Sequence, residues 1–489
     1  MEKGGDMADT LHKNYIGGAW RAGVDTTDNR NPSDLGDSLG AFAQADAAQT
    51  REAIDAARHA QPAWAQAGLE ARYTALLAIG TELMARAEAL GRELSREEGK
   101  PLAEGKGEVY RAGQFFHYYA AEVHRQIGDV ADSVRPGIEV LAQREPVGVV
   151  GVISPWNFPI ATAAWKIAPA LAFGNAVVWK PANLVPASAW YFAEIVSRQN
   201  LPAGVFNLVM GRGSEVGDTL VSAPDIDAIT FTGSVETGRR VGLRAMQNLT
   251  RVQMEMGSKN PLVVLDDADL DTAVQCAFVG GYSGSGQKCT ASSRLIVADG
   301  IHDRFVEALS ERLAAARVGH ALDPSTAIGP VVDAGQLQSD LDWIETARRE
   351  GAEIAVGGSV ASADTEGYFL QPTLFTGTRN DMRINQEEMF GPMASVIRVS
   401  DAHEALQVAN DTRFGLTAGI VTESLSAANH FRRQARFGCT MVNLPTAGTD
   451  YHVPFGGRGE SSYGPREQGQ YAREFYTQVK TSYVRIGEP

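Results

Sequence analysis

Between residues 147 and 256, short runs of β-branched and other apolar residues alternate with longer segments of helical periodicity. The apolar runs at 147–154, 176–180, 205–210, 228–232 and 252–256 predict strands, and the segments at 160–173, 187–198, 215–222 and 235–247 predict helices. Strands that alternate with helices form a parallel sheet covered on both faces. A second alternation runs from residue 260 to 443, with strands predicted at 262–265, 295–298, 394–399, 418–422 and 440–443. The pattern therefore predicts an α/β protein with two doubly wound parallel-sheet lobes. Upstream, the segments at 47–60 and 71–98 have amphipathic helical periodicity and are expected to cover the first sheet. Two further pieces, 130–144 with Pro136-Gly137 at its turn and 479–486, have strand character but no partner within either lobe.

Composition narrows this picture. A chain of 489 residues is too long for one core, so two or three domains are expected. Its 44% hydrophobic and 21% charged content is that of an ordinary soluble protein, and a formal charge of −15 argues against nucleic acid or an anionic membrane as a partner. Three cysteines, Cys276, Cys289 and Cys439, are too few and too scattered for a disulfide framework or a clustered metal site, which points to a reduced, cytoplasmic setting without metal. The polar segment 1–10 lacks the apolar core of a signal peptide. The longest apolar stretch, 147–179, is interrupted by Pro155, Pro159, Lys166, Pro169 and Asn175, so it reads as buried strand, helix and strand rather than a membrane span.

Three residues carry candidate chemistry. Cys289 lies in a loop punctuated by Gly281, Gly284 and Gly286, outside any apolar packing pattern, whereas Cys276 sits in an apolar helical segment and Cys439 at a strand start, where a packing role suffices. A cysteine thiolate is a strong nucleophile and forms thioesters. Glu255 interrupts a β run, where an inward carboxylate is costly unless it has work to perform; as a base it could deprotonate the water that cleaves a thioester. Asn157, between Trp156 and Phe158 on a turn bounded by Pro155 and Pro159, can donate its amide to an alkoxide. Together these roles describe oxidation of an aldehyde to an acid. Lys180, Gly211, Gly213 and Gly233 fall beyond the carboxyl ends of the first set of strands, where a nucleotide would bind. The strict Gly-x-Gly-x-x-Gly fingerprint is absent: Gly211, Gly213 and Gly217 are spaced one residue too wide, and Gly233 to Gly238 lacks the middle glycine.

Eight short motifs occur in one order along nearly the whole chain: Glu98-Gly99-Lys100-Pro101, the Pro155 to Pro159 turn, Trp179-Lys180-Pro181, Phe231-Thr232-Gly233-Ser234, Met254-Glu255-Met256-Gly257, Gly286-Gln287-Lys288-Cys289, Glu388-Met389-Phe390-Gly391-Pro392 and Pro454-Phe455-Gly456-Gly457. On these the chain resembles the NAD(P)-dependent aldehyde dehydrogenases. The resemblance implies Cys289 as nucleophile, Glu255 as base for the deacylating water, and Asn157 with the Cys289 N–H as oxyanion donors. It implies a cofactor site made by Ser154, Pro155, Trp156, Lys180, Asn183, Gly213, Gly217, Thr232, Gly233 and Ser234, with Glu388 on the nicotinamide ribose and Phe390 packing the ring. It further implies a Rossmann-like cofactor domain over 1–128 and 145–256, a catalytic domain over 257–444, and a β flap over 129–144 and 470–489 through which the chain pairs with itself as a dimer or tetramer. Ser258 stands where the family usually has a second glycine. Asn183 stands three residues after Lys180, where a carboxylate often marks NAD preference; a neutral amide there implies NADP use or dual specificity, with NAD alone as the alternative.

The segments Asn443 to Gly448, Asp450 to Phe455 and Ser461 to Gly469 are similar to the bacterial 2-oxoglutarate semialdehyde (2,5-dioxopentanoate) dehydrogenases. An acidic aldehyde needs a cation at the pocket. Succinate-semialdehyde enzymes usually place an arginine where this chain has Trp165, which counts against that substrate and leaves Lys288 or Arg111 to supply the charge. Without a cation, Phe116, Tyr118, Trp165 and Phe455 would form an aromatic tunnel suited to a neutral aldehyde. Glu255 counts against a coenzyme A-acylating dehydrogenase, and the joint presence of Cys289, Glu255, Asn157 and Lys180 counts against a catalytically silent binding protein.

Overall fold

In a computed structural model, residues 11–125 and 128–485 are described. The expected segments 1–10 and 486–489 lie outside the described residues. All five strands predicted between 147 and 256 form and pair in parallel: Arg251–Glu255, Ala228–Thr232, Val149–Ile153, Ala176–Lys180 and Phe206–Leu208 lie side by side in that order. Short antiparallel strands extend both edges, Ser462–Tyr463 beside Arg251–Glu255 and Asn14–Ile16 with Ala19–Arg21 beside Phe206–Leu208. The central strands are mostly apolar because helices cover both faces: Val150, Val152, Val177 and Trp179 pack with the helices Ala161–Ala172 and Pro186–Ser197 on one face, and Val149, Ala176 and Val178 pack with Ala53, Ile54, Leu220 and Val241 on the other.

The amphipathic region 71–98 breaks at Arg86 into two helices, Gly68–Ala85 and Ala87–Glu98, after the first helix Ala47–Ala65. Pro62 does not end the first helix, which runs three residues beyond it. A further helix, Leu102–Glu122, follows at once and packs on Gly68–Ala85 through glycines: a Cβ at Gly80 or Gly113 would come within 2.7 Å of the other's carbonyl oxygen. That close approach requires glycine on both helices. The sequence pattern gave no strand before residue 130, yet Asp25–Asn31 and Asp34–Gln44 form a hairpin that Leu11–His12 joins. Their residues are mostly polar and half-exposed, so no apolar alternation announces them.

The second lobe holds a seven-stranded sheet in the order 353–356, 373–378, 393–399, 292–298, 260–264, 417–421, 439–442, with only the first pair antiparallel. The pieces without a partner in either lobe pair with each other: Thr477–Arg485 runs antiparallel to Ile138–Pro146 along its whole length, and Gly128–Asp132 flanks the other side. Among the described residues no helix is long and apolar enough to cross a membrane.

Candidate active site

A cavity of about 470 Å³ opens at the carboxyl ends of the first sheet, where the second lobe faces it. Strand order reverses between Val149–Ile153 and Ala228–Thr232, which is where a doubly wound sheet leaves a crevice. Each strand end contributes. Ser154, Pro155 and Trp156 follow Val149–Ile153; Lys180 closes Ala176–Lys180; Thr232, Gly233 and Ser234 follow Ala228–Thr232; Glu255 closes Arg251–Glu255. Gly213 and Gly217, in a wide helical turn rather than the predicted regular helix start, line the same cavity. From the second lobe come Cys289, Glu388 and Phe390, with the Phe390 ring edge-on to Trp156 at 5.3 Å between centroids. Asn183 does not line the cavity; it is exposed beside it and accepts from Lys180 Nζ at 3.4 Å.

Cys289 follows the helix Leu270–Tyr282 and a tight turn over Ser283–Gly286. Gly286 has a positive φ, and a Cβ there would meet Gly391 O at 2.0 Å, so only glycine lets this loop lie against the segment carrying Glu388 and Phe390. The loop is pinned by side chains: Asn157 Nδ2 donates to Gln287 O at 2.9 Å, Asn260 Nδ2 to Cys289 O at 2.8 Å, and Thr446 Oγ1 to Thr290 O at 2.7 Å. The Asn157 amide thus bonds the main chain two residues before Cys289 and keeps a second N–H for a ligand. Glu255 is buried, with Ser462 Oγ donating to its Oε2. A Cβ at Gly257 would meet Glu388 Oε2 at 2.1 Å, and Ser258 N–H donates to Glu388 Oε1 at 2.9 Å. The close contact that demands glycine falls on Gly257, and Ser258 is not in the left-handed region, so serine is accommodated there.

Of the residues expected at the substrate end, Trp165 and Phe455 line the cavity, 5.9 Å apart between ring centroids. Four do not. Phe116 is fully buried against Phe192, because a one-residue step along a helix turns the side chain by about 100°. Its neighbour Phe115 is the one that packs on Trp165. Lys288 turns away from the cavity, its ammonium donating to Val279 O at 2.8 Å and Ser283 Oγ at 2.6 Å. Arg111 and Tyr118 pack around Tyr451, with Arg111 also donating to Thr449 O at 3.1 Å. Phe158, Thr162, Gln336, Arg240 and Arg244 line the cavity without having been singled out in the sequence. Lys166, noted only as a break in an apolar stretch, is fully buried and donates to Thr230 Oγ1 at 2.8 Å and to Glu467.

Residues 20–482 match the family described as the aldehyde dehydrogenase family. An alpha-ketoglutaric semialdehyde dehydrogenase of Bacillus subtilis is 39% identical over 476 residues, 96% of this chain and 98% of that protein. A 2,5-dioxopentanoate dehydrogenase of Saccharolobus solfataricus is 39% identical over 456 residues, 93% and 95% of the two chains. The crystal structure of a betaine aldehyde dehydrogenase from Staphylococcus aureus in complex with NAD+ superposes with a TM-score of 0.95 at 34% identity, covering 98% of this chain and 96% of that one. The chain belongs to the aldehyde dehydrogenase family.

Burial dominates the electrostatics of this aldehyde dehydrogenase. It pushes the Cys289 thiol up from its ordinary value, and the Glu388 and Glu255 carboxylates add to the effect. Glu255 is raised well above the usual carboxylate range by burial and then by Glu467, opposed by Ser462, Lys166 and Arg466. Glu388 is pushed up to about 7 by burial, opposed by the Ser258 N–H and Lys259. Burial brings Lys180 down to about 8. Cys276 is buried in the core and pushed up to about 11 by burial, while Cys439 is half-buried with Sγ 4.0 Å from Gly456 O.

Proposed function

We propose that the protein oxidises an aldehyde to its carboxylic acid through a thioester on Cys289, using NADP+ or NAD+. The observation that carries this reading is the meeting of Cys289, Asn157 and Glu255, from three distant segments, in one cavity at the carboxyl ends of a doubly wound sheet. Cys289 gives up its thiol proton to solvent and Sγ attacks the aldehyde carbon; the free Asn157 amide N–H and the Cys289 backbone N–H hold the resulting alkoxide, a role worth roughly 3 kcal/mol per donor. Collapse of the alkoxide restores the C=O bond as the carbon's hydrogen leaves as hydride, which yields the thioester. When bound, the nicotinamide cofactor supplies the hydride acceptor. Glu255 takes a proton from water, whose oxygen then attacks the thioester carbon and releases the acid, with Sγ as the leaving group.

The residues present suit a dinucleotide. Thr232 Oγ1 is buried without a partner, and Lys180, Arg240 and Arg244 bring positive charge to the same cavity. NAD+ in the Staphylococcus aureus structure supports this cofactor class. Asn183, neutral and beside Lys180, supports acceptance of the NADP 2′-phosphate. Residues 1–128 with 145–256 are assigned to cofactor binding, 257–444 to catalysis, and 129–144 with 470–489 to self-association as a dimer or tetramer. Exposed Val130, Val479 and Tyr483 on the small sheet support that last role. The acidic composition and free cysteines support a cytoplasmic location.

For substrate we propose 2-oxoglutarate semialdehyde, on the strength of the Bacillus subtilis and Saccharolobus solfataricus relatives. A second reading, a neutral or aromatic aldehyde, is favoured by one observation: Phe158, Trp165 and Phe455 line the cavity. The deciding experiment is initial-rate kinetics with both cofactors on 2-oxoglutarate semialdehyde, succinate semialdehyde and benzaldehyde. The proposal expects the highest kcat/KM for 2-oxoglutarate semialdehyde. Preference for benzaldehyde would transfer the assignment to the second reading.

A further inference from the structure

A buried ionic cluster lies behind the Pro155 to Pro159 turn, outside the cavity. Lys100, only 2% exposed, donates from Nζ to the main-chain oxygen of Asn157 at 2.7 Å and to Glu108 Oε2 at 2.6 Å. The same ammonium lies 4.0 Å from the centroid of the Phe158 ring. The other oxygen of Glu108 accepts from the backbone N–H groups of Ile160, at 2.9 Å, and Ala161, at 3.1 Å. Those amides open the helix Ala161–Ala172, whose preceding residue, Ile160, offers no side-chain cap. Glu108 therefore takes the place of the missing cap from a different helix, Leu102–Glu122. Lys100 and Glu108 together hold the turn at its carbonyl and at its two following amides.

None of this is cheap. Removing an ammonium and a carboxylate from water carries a penalty that their attraction only roughly repays, so a buried pair is weak as a stabiliser and strong as a fixer of geometry. A second carboxylate, Glu98, lies 3.8 Å from Lys100 Nζ and accepts from its backbone N–H at 3.0 Å. Burial pushes Glu98 up to about 8, so near neutral pH this second carboxyl is largely protonated and adds little negative charge beside Lys100. The Asn157 side chain on the far face of the turn donates to Gln287 O, two residues from Cys289. One continuous set of contacts thus runs from Lys100 through Asn157 to the loop that presents the thiol.

We infer that Lys100 and Glu108 are positioning residues that fix the direction of the Asn157 amide, and so the oxyanion site, without touching substrate. The inference rests on Asn157 being an oxyanion donor. Misplacing a reacting group by about 1 Å costs on the order of 100-fold in rate. The test is a double-mutant cycle on the full-length enzyme, read by the rate of the first hydride-transfer turnover and, separately, by cofactor Kd. Lys100→Met should slow that turnover about 100-fold while cofactor Kd moves less than about twofold. In an Asn157→Ala background the same change should cost less than about threefold, because the group it positions is gone. Glu98→Gln, which preserves the volume of the cluster, should remain within about twofold of the parent. If Lys100→Met does not fold, Glu108→Gln enters the cycle in its place, with the same non-additivity expected. Multiplicative losses in the cycle, or an unchanged first turnover in Lys100→Met, would overturn the inference. An unchanged first turnover in Asn157→Ala alone would instead remove the oxyanion assignment on which it stands.

Discussion

Ser462 Oγ donates a hydrogen bond to Glu255 Oε2 over 2.5 Å while accepting one from the backbone N–H of Gly457 at 2.6 Å. The hydroxyl is therefore committed: its single proton points at the carboxylate, and the charged form of Glu255 is the better acceptor. On the other side, a Cβ at Gly456 would lie 2.7 Å from Glu255 Oε1, so glycine leaves this carboxylate the room it occupies.

A pH consequence follows for the proposed base. Burial and Glu467 raise Glu255, and Ser462, Lys166 and Arg466 pull it back. Ser462→Ala removes one of the groups that favour the ionised form, so the folded pKa rises further and less carboxylate is present near neutrality. A hydrogen bond to a charged group is worth about 1.5–3 kcal/mol, which corresponds to a shift of one to two pH units. The acidic limb of the thioester-hydrolysis rate should move upward by roughly that amount, measured as steady-state kcat against pH after a pre-steady-state burst. A limb that stays in place or moves down would show that Ser462 does not act on the base.

The thiol makes the opposite kind of prediction. Burial, then Glu388 and Glu255, disfavour the thiolate of Cys289, so in the cofactor-free enzyme its alkylation by iodoacetamide should climb through pH 9 without levelling near 7. Glu388→Gln removes a negative neighbour, lowers the thiol pKa, and should quicken alkylation at pH 7.5 several-fold. A profile that saturates below pH 8 in the parent enzyme would mean that the thiolate is stabilised by something other than these neighbours.

The sequence revealed the two parallel sheets because their strands are apolar on both faces, a pattern that residue type alone exposes. The hairpin Asp25–Gln44 was hidden because its strands are polar and lie half in solvent. The same contrast holds at the site. Cys289 and Glu255 each conflict with their local pattern and can be marked one at a time, whereas Asn157 suits its turn and stands out through the chemistry of its amide and the motif around it. Ser462 and Gln336 have no such conflict; they reach the site through contacts between segments far apart in the chain. Lys288 is a candidate cation and Phe116 a candidate tunnel aromatic on residue type alone, which does not give direction: a helix step turns Phe116 inward and two local acceptors turn Lys288 away. Lys166 was visible as an interruption of an apolar run; a charge that far inside needs a buried partner, and Glu467 arrives from 301 residues downstream.

Lys180 gives a handle on cofactor choice that needs no turnover. Its amine is brought down to about 8 by burial, and Nζ donates to Pro181 O at 2.7 Å and to Asn183 Oδ1 at 3.4 Å. Below pH 8 the amine is charged and attracts a 2′-phosphate; above it the charge is lost. The Kd of NADP+ should therefore rise about tenfold between pH 7 and pH 9.5, equivalent to about 1.4 kcal/mol, while that of NAD+ changes less. Lys180→Met should flatten the difference. Asn183→Glu puts a carboxylate within reach of Lys180, satisfies its charge internally and opposes the phosphate, so NADP+ binding should weaken at least tenfold while NAD+ binding is retained. Equilibrium titration of the cofactors by protein fluorescence measures each case, and an NADP+ affinity that is independent of both pH and Asn183→Glu would place the 2′-position away from this pair.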